Sequence, residues 1–268
     1  MFTATFAFIK RDYLLATSYK SAFVLEIIGI LFMVITFYYI GEVFGSAVSP
    51  VLNSFENNYF AFLLIGIALM DFMKVSLQTF DNSIRESQMM GTLEIILLSP
   101  IRLPRMLLYS SLWAYLFTSF RFSLYLLFGI LLFDLDVGKG NPLAAIIILV
   151  LSIFCFAPLG VISASVIMIF KRGAWFRVLL SAISFFLGGV VYPITVLPNW
   201  IKPFAYYVPM THSLNGMRQA LQNGFSISKL FPDIAFLLLF SGVFIPVSLV
   251  TFWFAVYRTK DIGTLTHY

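Results

Sequence analysis

The sequence is dominated by apolar runs that are long enough to cross a lipid bilayer as helices. An α-helix rises 1.5 Å per residue, so about 20 apolar residues cover the hydrocarbon core of a membrane. Such runs occupy residues 21–40, 59–80, 106–133, 142–170, 174–191 and 234–257. The fifth run is the shortest of them. They predict an all-α integral membrane protein with six transmembrane helices.

Composition supports this fold class and excludes several others. Of the 268 residues, 60% are hydrophobic and 11% are charged, whereas a soluble domain carries roughly 25% charged residues. Too little charge remains to cover the surface of a cytosolic enzyme, and a disordered chain or a collagen-like fibre is excluded as well. No internal repeat or linker divides the sequence, which predicts a single transmembrane domain over residues 1–268.

The basic residues predict how the chain is oriented. With a cytoplasmic N-terminus, about twelve Lys and Arg side chains face inward and about four face outward, as the positive-inside rule requires. The sequence therefore predicts a multi-pass protein of the cytoplasmic (inner or plasma) membrane with both termini in the cytoplasm. The net charge of +5 is explained by this bias and predicts no nucleic-acid partner.

An apolar stripe precedes the first run. Phe2, Phe6, Ile9 and Tyr13 recur at helical spacing, away from Lys10. This pattern predicts an amphipathic helix in the inner membrane interface. A frayed polar leader remains the alternative.

Four charged residues fall within or near the ends of the predicted spans: Glu26, Asp71, Lys74 and Arg121. A charge in hydrocarbon needs a partner or contact with water. Asp71 and Lys74 are three residues apart on one helix, so we expect them to pair. Arg121 has no local partner, and we expect Glu26, the single acid of the first span, to approach it or to share a polar cluster with it.

The loop between the second and third runs has the features of a short helix. Gly91 permits a change of direction, Thr92 can cap a helix, and Pro100 ends it. The segment is too short to span a bilayer, so it either docks a cytoplasmic partner or anchors two spans at the interface. Its apolar stripe consists of Leu93, Ile96 and Leu97.

The segment after the fifth run is too apolar for a free loop and too broken for a span. Repeated prolines prevent one continuous helix, and its aromatic residues suit the membrane–water interface. We expect short helices at the outer leaflet between spans five and six. Broken backbone at that depth must be covered by protein or line a cavity.

The loop between the second and third runs and the proline-rich segment after the fifth run both resemble segments of the type-2 permeases of ATP-binding-cassette exporters. The resemblance implies that the first segment is the coupling helix, which sits in a groove of the ATPase, and that the second caps the exit of the substrate path. The first match comprises Arg85, Glu86, Gly91, Thr92, Leu93, Glu94, Leu97 and Pro100. The second comprises Pro193, Pro198, Trp200, Pro209, His212 and Arg218.

This resemblance implies the transmembrane subunit of an ATP-driven exporter for an amphiphilic, lipid-like, drug-like or glycan substrate. Two permease copies, as a homodimer or a heterodimer, would form the path and bind two ATPase chains, which hold ATP and Mg. The sequence has no G-x-x-x-x-G-K-[ST] phosphate loop, so ATP hydrolysis is expected in a separate chain. No catalytic residue, metal site or cofactor is predicted here.

Two other classes remain open. A secondary transporter would use Glu26, Asp71 or Arg121 to couple transport to an ion gradient. A membrane-embedded enzyme or assembly factor would need a reactive cluster, and the sequence contains neither H-E-x-x-H nor G-x-S-x-G.

Overall fold

The computed structural model describes residues 20–48, 58–89, 103–136, 138–170 and 174–261, together with Lys10, Tyr13, Leu14 and Ser18. Every regular element within these residues is helical. The α-helices are α1 Lys20–Val48, α2 Tyr59–Met89, α3 Leu103–Phe133, α4 Pro142–Phe170, α5 Ala174–Leu187, α6 Lys202–Ala205, α7 Pro209–Leu221 and α8 Phe231–Asp261, with a 3-10 turn at Ile194–Val196.

Five of these helices, α1, α2, α3, α4 and α8, are long and apolar enough to cross a membrane. They correspond to five of the six predicted runs. The remaining run forms α5, which has 14 residues and is therefore about 21 Å long. That length is less than the hydrocarbon thickness of about 30 Å, so α5 does not cross the membrane by helix alone.

Helix α2 lies at the centre of the bundle. In its most apolar window 78% of the residues are buried, against 11% in α1, 22% in α3 and α8, and 44% in α4. A helix that is apolar on all sides is stable where other helices surround it, and α2 packs against α1, α3, α4 and α5. Its side chains supply much of the core, including Phe62, Leu64, Leu69, Phe72 and Phe80.

Helices α1 and α3 run parallel to each other. Near their far ends Tyr38 stacks on Phe133 with 4.1 Å between ring centroids, and Phe23 lies 6.0 Å from Phe117 nearer their beginnings. The described part of the predicted N-terminal stripe, Tyr13, contacts Trp113 on α3. The rest of that stripe, Phe2, Phe6 and Ile9, lies outside the described residues.

The segment that begins with α5 contacts both ends of α2. At its start, Arg177 lies 3.3 Å from Asp81, near the end of α2. After α5 the chain turns at Gly189, whose φ of +74° suits glycine. The Tyr59 hydroxyl, at the beginning of α2, then donates a hydrogen bond of 3.1 Å to the Val191 carbonyl. The segment 174–191 therefore runs beside nearly the whole of α2.

Gly66 is where α2 and this turn meet most closely. A Cβ at Gly66 would lie 2.8 Å from Arg218 Nη2 and would press into the Val190 carbonyl oxygen. We expect Gly66→Ala to destabilise the purified protein by roughly 1–3 kcal/mol, as overpacking does, seen as a lower melting temperature in detergent.

Gly242→Ala on α8 is the matched control, because a Cβ there meets nothing within 4 Å. It is expected to melt at or slightly above the wild-type temperature, since alanine favours helix. Equal melting of the two variants would contradict the close approach at Gly66.

Candidate functional site

A polar cavity of about 270 Å³ lies where the turn after α5 meets α7 and the start of α8. Exposed aromatic side chains surround this end of the bundle, including Trp200, Phe204 and Tyr207. Such residues are typical of the membrane–water interface. The polar cavity is lined by Pro193 and Thr195 from the turn, by Tyr206, by His212, Asn215, Arg218 and Gln219 from α7, and by Asp233 from α8.

Arg218 holds the broken end of α5 in place. Its side chain is 3% exposed. Nη1 donates to the Gly189 carbonyl at 2.8 Å, and Nη2 donates to the carbonyls of Val190 at 2.9 Å and Phe62 at 3.0 Å. The guanidinium also lies over the Phe62 ring, 3.3 Å from its centroid. Carbonyls at the C-terminal end of a helix lack intrahelical donors, and Arg218 supplies donors for those of Gly189 and Val190.

A hydrogen-bonded chain joins α7 to α8. Asp233 Oδ1 lies 2.8 Å from His212 Nδ1, and Oδ2 accepts a hydrogen bond of 2.8 Å from Asn215 Nδ2. Gln219 Nε2 in turn donates to Asn215 Oδ1 at 3.2 Å. Asp233 lies in the first turn of α8, where the helix dipole favours a negative charge.

His212 connects this chain to the segment before α7. Its Nε2 lies 3.0 Å from the Tyr206 carbonyl oxygen, and its ring stacks on Phe236. Both of its hydrogen-bonding neighbours, Asp233 and the Tyr206 carbonyl, are acceptors. Only an imidazolium carries N–H donors on both ring nitrogens, so the charged form satisfies this geometry best.

The structure places the predicted exit residues in two groups. Pro193, His212 and Arg218 line the polar cavity. Pro209 begins α7 and is buried beside it. Pro198 and Trp200 lie on the exposed turn between the 3-10 element and α6. The role of all six at an exit remains a prediction.

The lining residues that were not predicted from the sequence include the polar residues Thr195, Thr211, Asn215, Gln219 and Asp233. The available signals were weak. Asn215 and Gln219 lie on the face of α7 that carries His212, and Asp233 is an isolated acid at the start of a long apolar run. None of these patterns distinguishes a cavity wall from a solvated surface.

A second polar cluster joins α1, α2 and α3. Arg121 Nη1 pairs with the Glu26 carboxylate, and Nη2 lies 2.7 Å from Asp71 Oδ2. The predicted approach of Glu26 and Arg121 is confirmed. The predicted pairing of Asp71 with Lys74 is not a salt bridge: Asp71 pairs with Arg121 on α3, and the exposed Lys74 side chain acts on Asp71 only as a nearby charge. A lysine near the interface can reach water along its stem, whereas Arg121 lies mid-span and needs both acids.

A third cluster lies near the end of α2, one turn before Arg85. Asp81 is 1% exposed. Its Oδ2 accepts a hydrogen bond of 3.1 Å from the Ser163 hydroxyl and pairs with Arg177. These three residues are far apart along the chain, so no sequence pattern marks them as a cluster.

The predicted coupling residues lie just beyond this cluster. Arg85 is exposed on the last turns of α2, and Glu86 belongs to the same helix. The other six, Gly91, Thr92, Leu93, Glu94, Leu97 and Pro100, lie outside the described residues.

The sequence model of the ABC-2 type transporter matches residues 3–221, well over half of the chain. The chain belongs to the ABC-2 type transporter family. No individual curated protein matches it significantly.

The ABC-2 match confirms the family that the two segments predicted. It makes the chain a multi-pass permease component of an ABC transporter, a class of subunit that is generally not catalytic. The matched residues include the 91–100 loop and end at Leu221, the last residue of α7. They therefore include every cavity residue named above except Asp233.

Within the described ranges, no group of three or more His, Cys, Asp or Glu side chains could hold a metal ion. The charged groups of the three clusters described above are instead paired with each other or with backbone carbonyls. Such an arrangement stabilises broken and charged structure inside a membrane.

Proposed function

We propose that the chain is the transmembrane subunit of an exporter that moves an amphiphilic substrate outward across the cytoplasmic membrane. A separate ATPase binds the 91–100 loop and supplies the energy. The family match over residues 3–221 carries this proposal. The absence of a phosphate-loop motif from the sequence supports a separate ATPase.

In this proposal the segment 174–191 also crosses the membrane, as the fifth crossing along the chain, which brings the total to six. Helix α5 covers part of the distance and the turn through Gly189 and Val190 covers the rest. The contacts of Arg177 with Asp81 and of Val191 with Tyr59, at opposite ends of α2, support a complete crossing. An even number of crossings puts both termini on the same side, and the bias of Lys and Arg makes that side the cytoplasm and the cavity side the outer one.

Helix α2 connects the ATPase side to the polar cavity. The 91–100 loop follows α2 directly, so movement of the loop displaces the helix. Asp81 with Arg177 ties one end of the fifth crossing to α2, and Arg218 ties the other end to the Phe62 carbonyl. A shift of α2 therefore changes the cavity wall. The energy for the shift must come from ATPase contacts that differ between the two permease states.

The partners in this proposal are a second permease copy and two ATPase chains. Helix α1 has little of its surface covered within one chain, which leaves a long apolar face for lipid or for the second copy. Two copies related by symmetry place the substrate path between them.

Charge changes in the 91–100 loop test the proposal. We expect Leu97→Asp and Glu94→Arg each to reduce co-purification of the ATPase roughly 10-fold or more, as loss of an interface hot spot does. Transport in membrane vesicles should fall with it. The measurement is the amount of ATPase recovered with tagged, correctly inserted permease.

Glu42→Arg is the control for these variants, because Glu42 is an exposed acid near the far end of α1. It should leave ATPase recovery unchanged. If the wild-type chain recovers no ATPase, or if both loop variants behave like Glu42→Arg, the exporter proposal is wrong.

An ion-gradient-driven transporter is the second candidate. Its supporting observation is the partly exposed cluster of Glu26, Asp71 and Arg121 within the predicted spans. It requires substrate uptake into vesicles that contain the purified chain alone and an ion gradient. The proposed exporter instead requires ATP and the separate ATPase for transport.

A further inference from the structure

The two ends of the segment 174–191 are attached to α2 with unequal strength. At its start, a single ion pair of 3.3 Å joins Arg177, whose side chain is 23% exposed, to Asp81. At its other end, Arg218 is buried and makes three hydrogen bonds of 2.8–3.0 Å to backbone carbonyls. A partly exposed ion pair is a weaker attachment than three buried hydrogen bonds to a charged group. The start of α5 therefore separates from α2 more readily than the turn after it.

Asp81 cannot lose Arg177 unless another cation replaces it. The Asp81 side chain is buried, and removing one partner of a buried ion pair is strongly destabilising. The Ser163 hydroxyl donates its one hydrogen to Oδ2 and brings no charge. Oδ1 is also buried and has no hydrogen-bond partner within the described part of the chain. A movement of α5 away from α2 thus needs a second cation that can reach Asp81.

Arg85 lies where such a cation is needed. It follows Asp81 by one helical turn on α2, it is exposed, and its charge already acts on the Asp81 carboxylate. Helical side chains lean toward the N-terminus of their own helix, over the residue four positions earlier, and Asp and Arg at this spacing pair favourably. The 91–100 loop begins within two turns of Arg85, so displacement of the loop also moves this arginine.

We propose that Asp81 exchanges Arg177 for Arg85 when the ATPase displaces the 91–100 loop. The exchange releases the start of α5 from α2, while Arg218 keeps the other end of the segment attached. The segment then pivots about the polar cavity and separates from α2 on the ATPase side. The ATPase-driven step rests on the proposed exporter function. The sharing of Asp81 by two arginines is a property of the permease alone.

The first test measures melting temperatures of the full-length permease in nanodiscs without an ATPase. Arg177→Gln is expected to lower the melting temperature moderately, because Arg85 takes over the carboxylate. Arg85→Gln should change it little, because Arg177 remains. The two substitutions together should lower it by far more than the sum of the single shifts, because Asp81 then has no cation.

Two further variants make this cycle specific. Arg258→Gln removes an exposed arginine near the end of α8, and its effect should add to that of Arg177→Gln. Adding Asp81→Asn to the variant that lacks Arg85 and Arg177 should restore much of the stability, since a neutral amide needs no cation. Additive effects of Arg85→Gln and Arg177→Gln, or no recovery with Asp81→Asn, would overturn the exchange.

The second test follows the ATPase-driven step. Spin labels are attached at the exposed positions Asn82 on α2 and Val178 on α5, in a Cys155→Ala background that removes the single cysteine of the sequence. With bound ATPase and a non-hydrolysable ATP analogue, the distance between the labels is expected to lengthen. Arg85→Gln should reduce the separated fraction roughly 10-fold, the effect of losing one hydrogen bond to a charged group.

The comparison uses samples with equal amounts of bound ATPase, so that a weaker association does not imitate the loss of exchange. Equal separation in Arg85→Gln and the wild type would contradict the proposal. If the permease recovers no ATPase, the exporter function is wrong, and the melting temperatures still decide whether Arg85 and Arg177 share Asp81.

Discussion

Replacing Arg218 with methionine is expected to prevent the protein from folding stably. The substitution removes the donors for the carbonyls of Gly189 and Val190, which are buried at the broken end of α5, and one hydrogen bond to the Phe62 carbonyl in the first turn of α2. A buried group left without a partner costs about 1–3 kcal/mol, so the two carbonyls at the break amount to roughly 2–6 kcal/mol. Typical domains are stable by only about 5–15 kcal/mol. The measurement is the monodisperse fraction in detergent and the melting temperature.

Two companion variants make this result specific. Arg218→Lys retains a charge and three donors but not the planar fork, so an intermediate melting temperature is expected. Arg258→Met removes an exposed arginine from α8 and should melt like the wild type. If Arg218→Met has the same melting temperature as Arg258→Met, the Arg218 guanidinium does not stabilise the turn after α5.

The sequence predicted the long helices because their apolar runs are continuous. It also predicted a broken segment after residue 191, where prolines follow, whereas helix α5 already ends at Leu187. It did not show what stabilises the break. The carbonyls of Gly189 and Val190 are satisfied by Arg218, 29 and 28 residues further on, and such a pairing depends on the packing of α7 against α2.

The charged residues within the spans also show that the sequence does not identify partners on other helices. The expectation that Arg121 needs a distant acid follows from the free energy of a charge in hydrocarbon, and Glu26 was the available acid in the first span. The expectation for Asp71 used spacing on one helix, where Lys74 is a geometrically allowed partner. Packing of α2 against α3 instead places Asp71 beside Arg121. Spacing along the sequence does not indicate which face of a helix contacts which neighbouring helix.

The Asp81 cluster and the polar cavity were missed for a related reason. Asp81, Ser163 and Arg177 come from three helices, and each alone is an ordinary residue near a helix end. The cavity wall likewise combines a turn, α7 and the start of α8. Family resemblance indicated part of this region, but the acid at its centre, Asp233, lies beyond the matched residues.

Replacing Arg121 with leucine is the second change with a large expected effect. It leaves Glu26 and Asp71 in the spans without their common partner. An unpaired charge at mid-span costs about 2.5–3.5 kcal/mol on insertion scales, and two like charges held together add repulsion. We expect Arg121→Leu to lose most of its correctly folded protein, measured as the monodisperse fraction and the melting temperature.

The cause can be separated from simple loss of packing by removing the acids as well. Adding Glu26→Gln and Asp71→Asn to Arg121→Leu should restore much of the folded fraction, because neutral amides tolerate the site without a cation. Lys74→Leu is the control, since Lys74 is one turn from Asp71 but pairs with neither acid within the described residues. It should remain near wild type. Failure of the triple variant to recover, or equal stability of Arg121→Leu and Lys74→Leu, would show that the three charges do not act as one unit.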